Sequence, residues 1–153
     1  MAHSKSQIYI QAVFGVKYRE ALLLAEFRPR IWAFMSELLK EKKQFPIIIN
    51  GVEDHVHLFF GLSRTASVAD VMKFVKSNTS RFINDEKFSP HRFEWQVGYG
   101  AFSYSQSQKE AVVNYIKNQE EHHKIQTFPD EYKNMLTKFE INYKEEELFV
   151  NPF

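Results

Sequence analysis

The sequence predicts an α+β fold: a single domain with a central, mainly antiparallel sheet and helices packed on it. Three observations carry this. Short β-branched and aromatic segments alternate with longer stretches of helical apolar spacing, in the order strand, helix, two strands, helix, one or two strands, helix, helix. Asn50-Gly51 separates two of the short segments and is a hairpin signal, which makes those two strands antiparallel neighbours. The chain has 153 residues, enough for one domain and little more.

Residues 7–16, QIYIQAVFGV, read as the first strand. Residues 19–43 read as a helix, with Pro29 near the start of its main part and Ile31, Phe34, Met35, Leu38 and Leu39 at helical spacing. Residues 45–50 and 55–62 are the hairpin strands, joined by a loop that can exceed two residues. Ser67 opens a capping box with Asp70, and a helix runs from there to about Asn84. Residues 93–104 read as one or two strands broken at Gly98 and Gly100. Ser107 opens a second capping box with Glu110, and its helix continues to about Lys124. Pro129 starts a shorter helix through about Lys138, and residues 139–153 read as a C-terminal arm of a domain spanning 1–153. Helices are expected on one or both faces of the sheet.

Composition sets outer limits on function. Hydrophobic residues make up 44% and charged residues 25%, the balance of a globular chain rather than a disordered one. No apolar run is long enough to span a membrane, so no membrane partner is expected. The start, Met-Ala-His-Ser-Lys, has no apolar stretch behind a basic one, and there is no cysteine for disulfide or thiolate chemistry. A cytoplasmic protein is expected. Aromatics reach 16%, with 15 Phe, which suits a filled core before it suits stacking on bases. The net charge of +1 conceals a gradient. Residues 1–119 carry 16 Lys+Arg against 11 Asp+Glu, and residues 120–153 carry 4 against 8. The basic body permits an anionic partner.

Two motifs carry chemistry. Asp54-His55-Val56-His57 places both imidazoles on one face of a strand, a spacing that can hold one metal ion or belong to two ordinary strand histidines. On the helix after Ser107, Tyr115, Gln119 and His122 follow by four and three residues and line one stripe beside apolar Val112, Val113 and Ile116. Gln119 offers an amide oxygen to a metal and Tyr115 a phenol as nucleophile. By itself the stripe also fits a plain amphipathic helix.

Together the motifs resemble a known family. His55-Val56-His57 is similar to the His-hydrophobic-His motif of the HUH superfamily. Tyr115-Ile116-Lys117-Asn118-Gln119-Glu120-Glu121-His122-His123 is similar to the Tyr-Ile-x-x-Gln-x-x-His-His signature of its single-tyrosine transposases, the enzymes of small insertion sequences that move as single-stranded DNA. The resemblance runs from about Gln7 to Phe149 and includes Lys17-Tyr18-Arg19, Asp54, Trp95-Gln96, Gly98-Tyr99-Gly100 and the closing Phe139 to Phe149 stretch. Val16 stands where the family usually has Thr, and the first strand lacks the usual histidine.

The resemblance implies an HUH, ferredoxin-like sheet and a metal-dependent transposase. It implies that Tyr115 attacks a single-stranded DNA phosphate to form a 5′-phosphotyrosine. His55, His57 and Gln119 would hold a divalent ion, all as neutral ligands, with Mg2+ expected in the cell and Mn2+ competent. Asp54 and His122 are candidates to support that set from behind. Lys17, Arg19, Lys73, Lys76 and Arg81 are candidates for DNA phosphates. The implied partners are hairpin-marked single-stranded DNA and a second copy of the chain, in a homodimer with composite active sites, inside a bacterial or archaeal cell. Other readings are a domesticated HUH endonuclease or nickase, a catalytically silent hairpin-binding protein, and a hydrolase using metal-bound water. The last lacks a carboxylate ligand, since strand alternation turns Asp54 away from His55.

Overall fold

Alternation along two central strands decides which side chains meet which helices. In the structure, a computed structural model describing residues 3–149, β1 (Tyr9–Gly15) and β3 (His55–Gly61) pair antiparallel in the middle of a four-stranded sheet. β2 (Phe45–Gly51) flanks β3 and β4 (Gly100–Tyr104) flanks β1, giving the order β2-β3-β1-β4 with every neighbour antiparallel. Helix α1 (Arg28–Glu41) connects β1 to β2, and α2 (Val68–Asp85) connects β3 to β4. Each crossover steps over one strand, so two βαβ units interleave in the ferredoxin-like pattern that the resemblance implies.

One sheet face is aliphatic and aromatic. Ile10, Ala12 and Phe14 of β1 with Val56, Leu58 and Phe60 of β3 pack against Ile31, Met35 and Leu39 of α1 and Val71, Met72 and Val75 of α2. The opposite face carries Gln11, His55 and His57 among Tyr9, Val13 and Phe59. It is covered by α3 (Lys109–Lys117), through Val112 and Ile116, and by α5 (Phe128–Lys138), through Phe128, Met135 and Leu136. Helices therefore cover both faces. The polar alternates of the strands lie buried beneath α3 and α5, where each needs a hydrogen-bond partner.

The turn between β2 and β3 holds the histidine strand in register. Its loop has three residues, Val52–Asp54, after the expected Asn50-Gly51. A Cβ on Gly51 would fall 2.2 Å from the His55 carbonyl oxygen, so only glycine fits there. Asn50 Nδ2 donates to the carbonyl oxygen of Ile116 at 2.9 Å and ties the hairpin to the end of α3.

Several boundaries differ from the sequence reading. The helix expected over 19–43 begins only at Arg28. Lys17–Arg19 form a 3-10 turn in which Tyr18 and Arg19 take φ of 59° and 55°, outside the helical region, and Leu22 and Leu23 then drop into the core. Over 93–104 only Gly100–Tyr104 joins the sheet. Trp95 makes a single bridge to Val16, and Gly98 turns the chain at φ 91°. The cap before α3 is Ser105 with Gln108, not Ser107 with Glu110. The helix expected to reach Lys124 breaks at Asn118 (φ −99°, ψ 25°), and a single turn, α4 (Gln119–His122), follows in a new direction. Ser67 caps α2 through the amide of Asp70 as expected, and Thr127 caps α5 with Pro129 in its first turn. Residues 139–149 fold back: Phe139, Tyr143, Leu148 and Phe149 pack on the Val13, Phe102 and Phe128 cluster, with a short turn of helix, α6 (Glu145–Leu148). Residues 150–153 of the expected arm lie outside the described residues.

Candidate active site

Strand alternation puts His55 and His57 side by side under α3 and α5, both fully buried. Two buried imidazoles need partners on both nitrogens. Asp54 supplies the first. Its Oδ1 lies 2.8 Å from His55 Nδ1, because Asp54 sits in the loop before β3 and escapes the alternation that was expected to turn it away. Gln11 lies across the β1–β3 ladder, its Nε2 at 2.9 Å from His57 Nδ1, and its Oε1 accepts from the Tyr104 hydroxyl at 2.7 Å. The Nε2 atoms of both histidines are thereby aimed away from the strand backbone.

They point at Glu131, a residue the sequence reading passed over. Its Oε1 lies 3.2 Å from His55 Nε2, 3.2 Å from His57 Nε2 and 3.1 Å from His123 Nε2. Its Oε2 accepts from Gln119 Nε2 at 3.2 Å and from the Tyr115 hydroxyl. Gln119, also fully buried, places its Oε1 3.1 Å from His55 Nε2. The structure thus brings His55, His57, Gln119 and Tyr115 together, as the motifs suggest, around a carboxylate. A signal for it existed. Phe128, Glu131 and Met135 follow at i, i+3 and i+7, so an acidic residue interrupts the buried stripe of α5.

His123, rather than the expected His122, meets the carboxylate. The break at Asn118 rotates the following turn, so that His123 reaches Glu131 while His122 stacks on the Tyr115 ring at 4.7 Å with its Nε2 buried and unpartnered. The straight-helix stripe of Tyr115, Gln119 and His122 is bent there, which is what lets Gln119 turn inward.

The charges are coupled. Burial opposes a charged His55, but the bonds to Asp54 and Glu131 outweigh it and raise its pKa to about 9. Burial lowers the pKa of His57. Burial also opposes ionisation of Glu131, yet the three imidazoles hold its carboxyl well below the usual carboxylate range. Tyr115 is pushed above the ordinary phenol value by burial and by the charge of Glu131. Without a cation in the cluster, Tyr115 is a neutral phenol donating to a carboxylate.

These residues fit a divalent metal ion. One nitrogen from each of His55 and His57 and one oxygen of Glu131 lie within 4.8 Å of one another, and all three side chains are buried. His55 is held by Asp54 at the nitrogen that a metal would not use, the usual arrangement behind a metal-binding imidazole. Glu131 adds a carboxylate beside His55, His57 and Gln119, the neutral set that the resemblance implies.

The phosphate candidates are scattered by comparison. Lys17 pairs with Glu94 at 3.0 Å, which raises its pKa, and Arg19 lies over the Phe149 ring. Helix α2 packs on the sheet face opposite the histidines. Along it Lys73 is exposed, but Lys76 donates to the carbonyls of Gln96 and Gly98 at 2.8 and 2.6 Å, and burial lowers its pKa to about 8. Arg81 lines a separate cavity of about 490 Å3 with Arg92, Asn84 and Trp95.

The interleaved βαβ sheet, with a histidine pair under the helix that carries Tyr115, is the frame of a known class of protein, the transposases. The family described as "Transposase IS200 like" matches residues 4–119, and the chain belongs to it. That match includes His55, His57, Tyr115 and Gln119 but stops short of His123 and Glu131. Among solved structures, the chain is similar to a protein of Deinococcus radiodurans R1 provisionally assigned as a transposase, at 18% identity and a TM-score of 0.62, over 78% of this chain and 95% of that one. It is also similar to a REP-associated tyrosine transposase bound to a REP hairpin, at 11% identity and a TM-score of 0.60, over 80% of this chain and 74% of that one. Both likenesses concern the fold. No curated protein matches the chain.

Proposed function

We propose that the protein is a metal-dependent transposase that cuts and rejoins single-stranded DNA at hairpin-marked ends, with Tyr115 as nucleophile. The observation that carries this reading is the placement of the Tyr115 hydroxyl on Glu131, within the same cluster as His55, His57 and Gln119. Family membership and the fold shared with a hairpin-bound transposase support the DNA substrate.

His55, His57 and Glu131 would hold a divalent ion, with the Gln119 oxygen beside them. That ion would polarise the scissile phosphate and lower the pKa of the nearby phenol. Two imidazole nitrogens with carboxylate and amide oxygens suit Mn2+ and accept Mg2+, the abundant ion of the cell. The Tyr115 oxygen attacks phosphorus in line. A Tyr115–phosphorus bond forms, the phosphorus–O3′ bond breaks, and the departing oxygen takes a proton to become a 3′-hydroxyl. The hydrogen bond to Glu131 gives the phenol proton its first acceptor. Rejoining reverses these steps with another 3′-hydroxyl, so one phosphodiester replaces another and no nucleotide cofactor is needed. Asp54 and Gln11 fix the histidine rings, and His122 stacks on the nucleophile.

The test uses labelled single-stranded oligonucleotides carrying a hairpin and randomised flanks, with Mg2+ or Mn2+. A denaturation-resistant protein–DNA adduct is expected, absent in Tyr115→Phe and His57→Ala. Binding without an adduct under every metal would favour a silent hairpin-binding protein. Glu131 also favours one second reading, because it supplies the carboxylate that a metal-bound water mechanism needs. Cleavage that survives Tyr115→Phe would establish that chemistry and exclude the tyrosine.

A further inference from the structure

Between α3 and α5 lies a cavity of about 420 Å3 that Tyr115 and Glu131 of the cluster line on one side. Its size lies within the range of small-molecule sites, about 300–1,000 Å3. Its chemistry is mixed in a particular way. Met135 is a buried, apolar part of the lining. The rings of Tyr104 and Phe139 line it, their centroids 5.5 Å apart and edge to face. Gln126 and Asn134 line it as well, and the hydrogen bonds of the histidine–glutamate cluster use neither. Lys138 brings a positive charge to it.

Aromatic surface, unspent amides and one cation describe what a nucleotide presents in reverse: a flat π-face, an edge of donors and acceptors, and a phosphate. Aromatic surfaces hold any base by stacking, whereas a side-chain amide discriminates among base edges. We propose that this cavity is a nucleotide subsite. It takes the base next to the scissile phosphate, with Asn134 and Gln126 reading its edge and Lys138 on the adjoining phosphate. This deepens the transposase reading and rests on it for the position of the scissile phosphate. The cavity opens at the nucleophile, so a base seated there sets which phosphate meets Tyr115. Part of the cleavage-site specificity then resides in α5.

The test reads binding without catalysis. The full-length protein, labelled with 13C at its methionine methyls, is titrated with each of the four deoxynucleoside 5′-monophosphates up to about 20 mM, the range where weak single-nucleotide affinities are visible. The Met135 methyl is expected to shift, while Met35 and Met72, buried on the opposite sheet face, stay in place. Affinities are expected to differ by about tenfold between the best and worst base, the scale of one amide–base pair. Asn134→Ala, on an exposed position of α5, should shrink that spread to about twofold or less on the same scale. Lys138→Gln should weaken all four alike. A Met135 signal unmoved by all four nucleotides overturns the proposal, as does equal binding of all four that Asn134→Ala leaves unchanged. A protein that forms the DNA adduct but shows no Met135 shift keeps its function and loses this subsite. Selective Met135 shifts in a protein that never forms the adduct keep the subsite and overturn the tyrosine mechanism.

Discussion

Glu131 joins the two motifs of the sequence into one site. A buried carboxylate is costly unless it is paired, and here three imidazoles, an amide and a phenol pair it. Two measurable consequences follow from its charge. In metal-free protein, His55 has its pKa raised from 6.5 to about 9, so its contribution to stability is complete below pH 6.5 and is lost as pH rises through 9. Thermal melts of the metal-free protein should therefore fall across that window, and Asp54→Asn, which removes one of the bonds that raise His55, should flatten the fall. An unchanged slope would show that Asp54 does not set the charge of His55. Metal binding must displace the His55 proton, so affinity measured by calorimetry should rise with pH up to about 9, by about tenfold per unit. Glu131→Gln should weaken binding by at least about 10–100-fold, the cost of losing even a supporting partner of a metal site. Equal affinity in that variant would remove Glu131 from the ligand set. At this scale the histidine pair and the tyrosine stripe were legible as local spacing, while their implied roles came from the family resemblance. Glu131 was not, because the histidine pair it meets lies 74 to 76 residues away in the chain and only the fold brings them together.

Elements hold those groups to within bonding distance. The β2–β3 turn sets the height of His55, and Gly51 packs against the His55 carbonyl with no room for a side chain. Gly51→Ala should cost about 1–3 kcal/mol in chemical denaturation, as overpacking of a tight site does. It should weaken metal binding in step, since the same shift displaces His55. A variant as stable as the parent would show that the turn has slack. The strands, α2 and α5 were legible in the sequence because alternation, Ser67-Asp70 and Pro129 act within a few residues. The start of α1 was not. Nothing local marks the positive φ at Tyr18 and Arg19, which serves to lay Leu22 and Leu23 into the core. The break at Asn118 was also hidden, because helical spacing runs straight through it. Tertiary bonding favours the break: Asn50 takes the carbonyls of Ile116 and Lys117, and Gln119 goes to the histidines.

Over the whole molecule, the interleaved βαβ order explains why one sheet face serves the core and the other the chemistry. The basic residues of α2 belong to the helix layer on the sheet face opposite the histidines. No helix among the described residues is long and apolar enough to cross a membrane. The family resemblance implies a homodimer with sites shared between copies. In this chain Tyr115 reaches its own cluster, its ring 6.0 Å from that of His57. If the working enzyme keeps this pairing, mixed Tyr115→Phe and His57→Ala subunits should stay inactive, and restored activity on mixing would show exchange of the tyrosine helix. The most direct test of the central claim is to digest the protein–DNA adduct with trypsin and weigh the peptides. Tyr115 is the only tyrosine of the peptide Glu110–Lys117, so this peptide should carry the mass of a 5′-phosphorylated nucleotide, and its unmodified form should be depleted. An adduct on any other peptide, or cleaved DNA with Glu110–Lys117 unmodified throughout, would contradict the role of Tyr115.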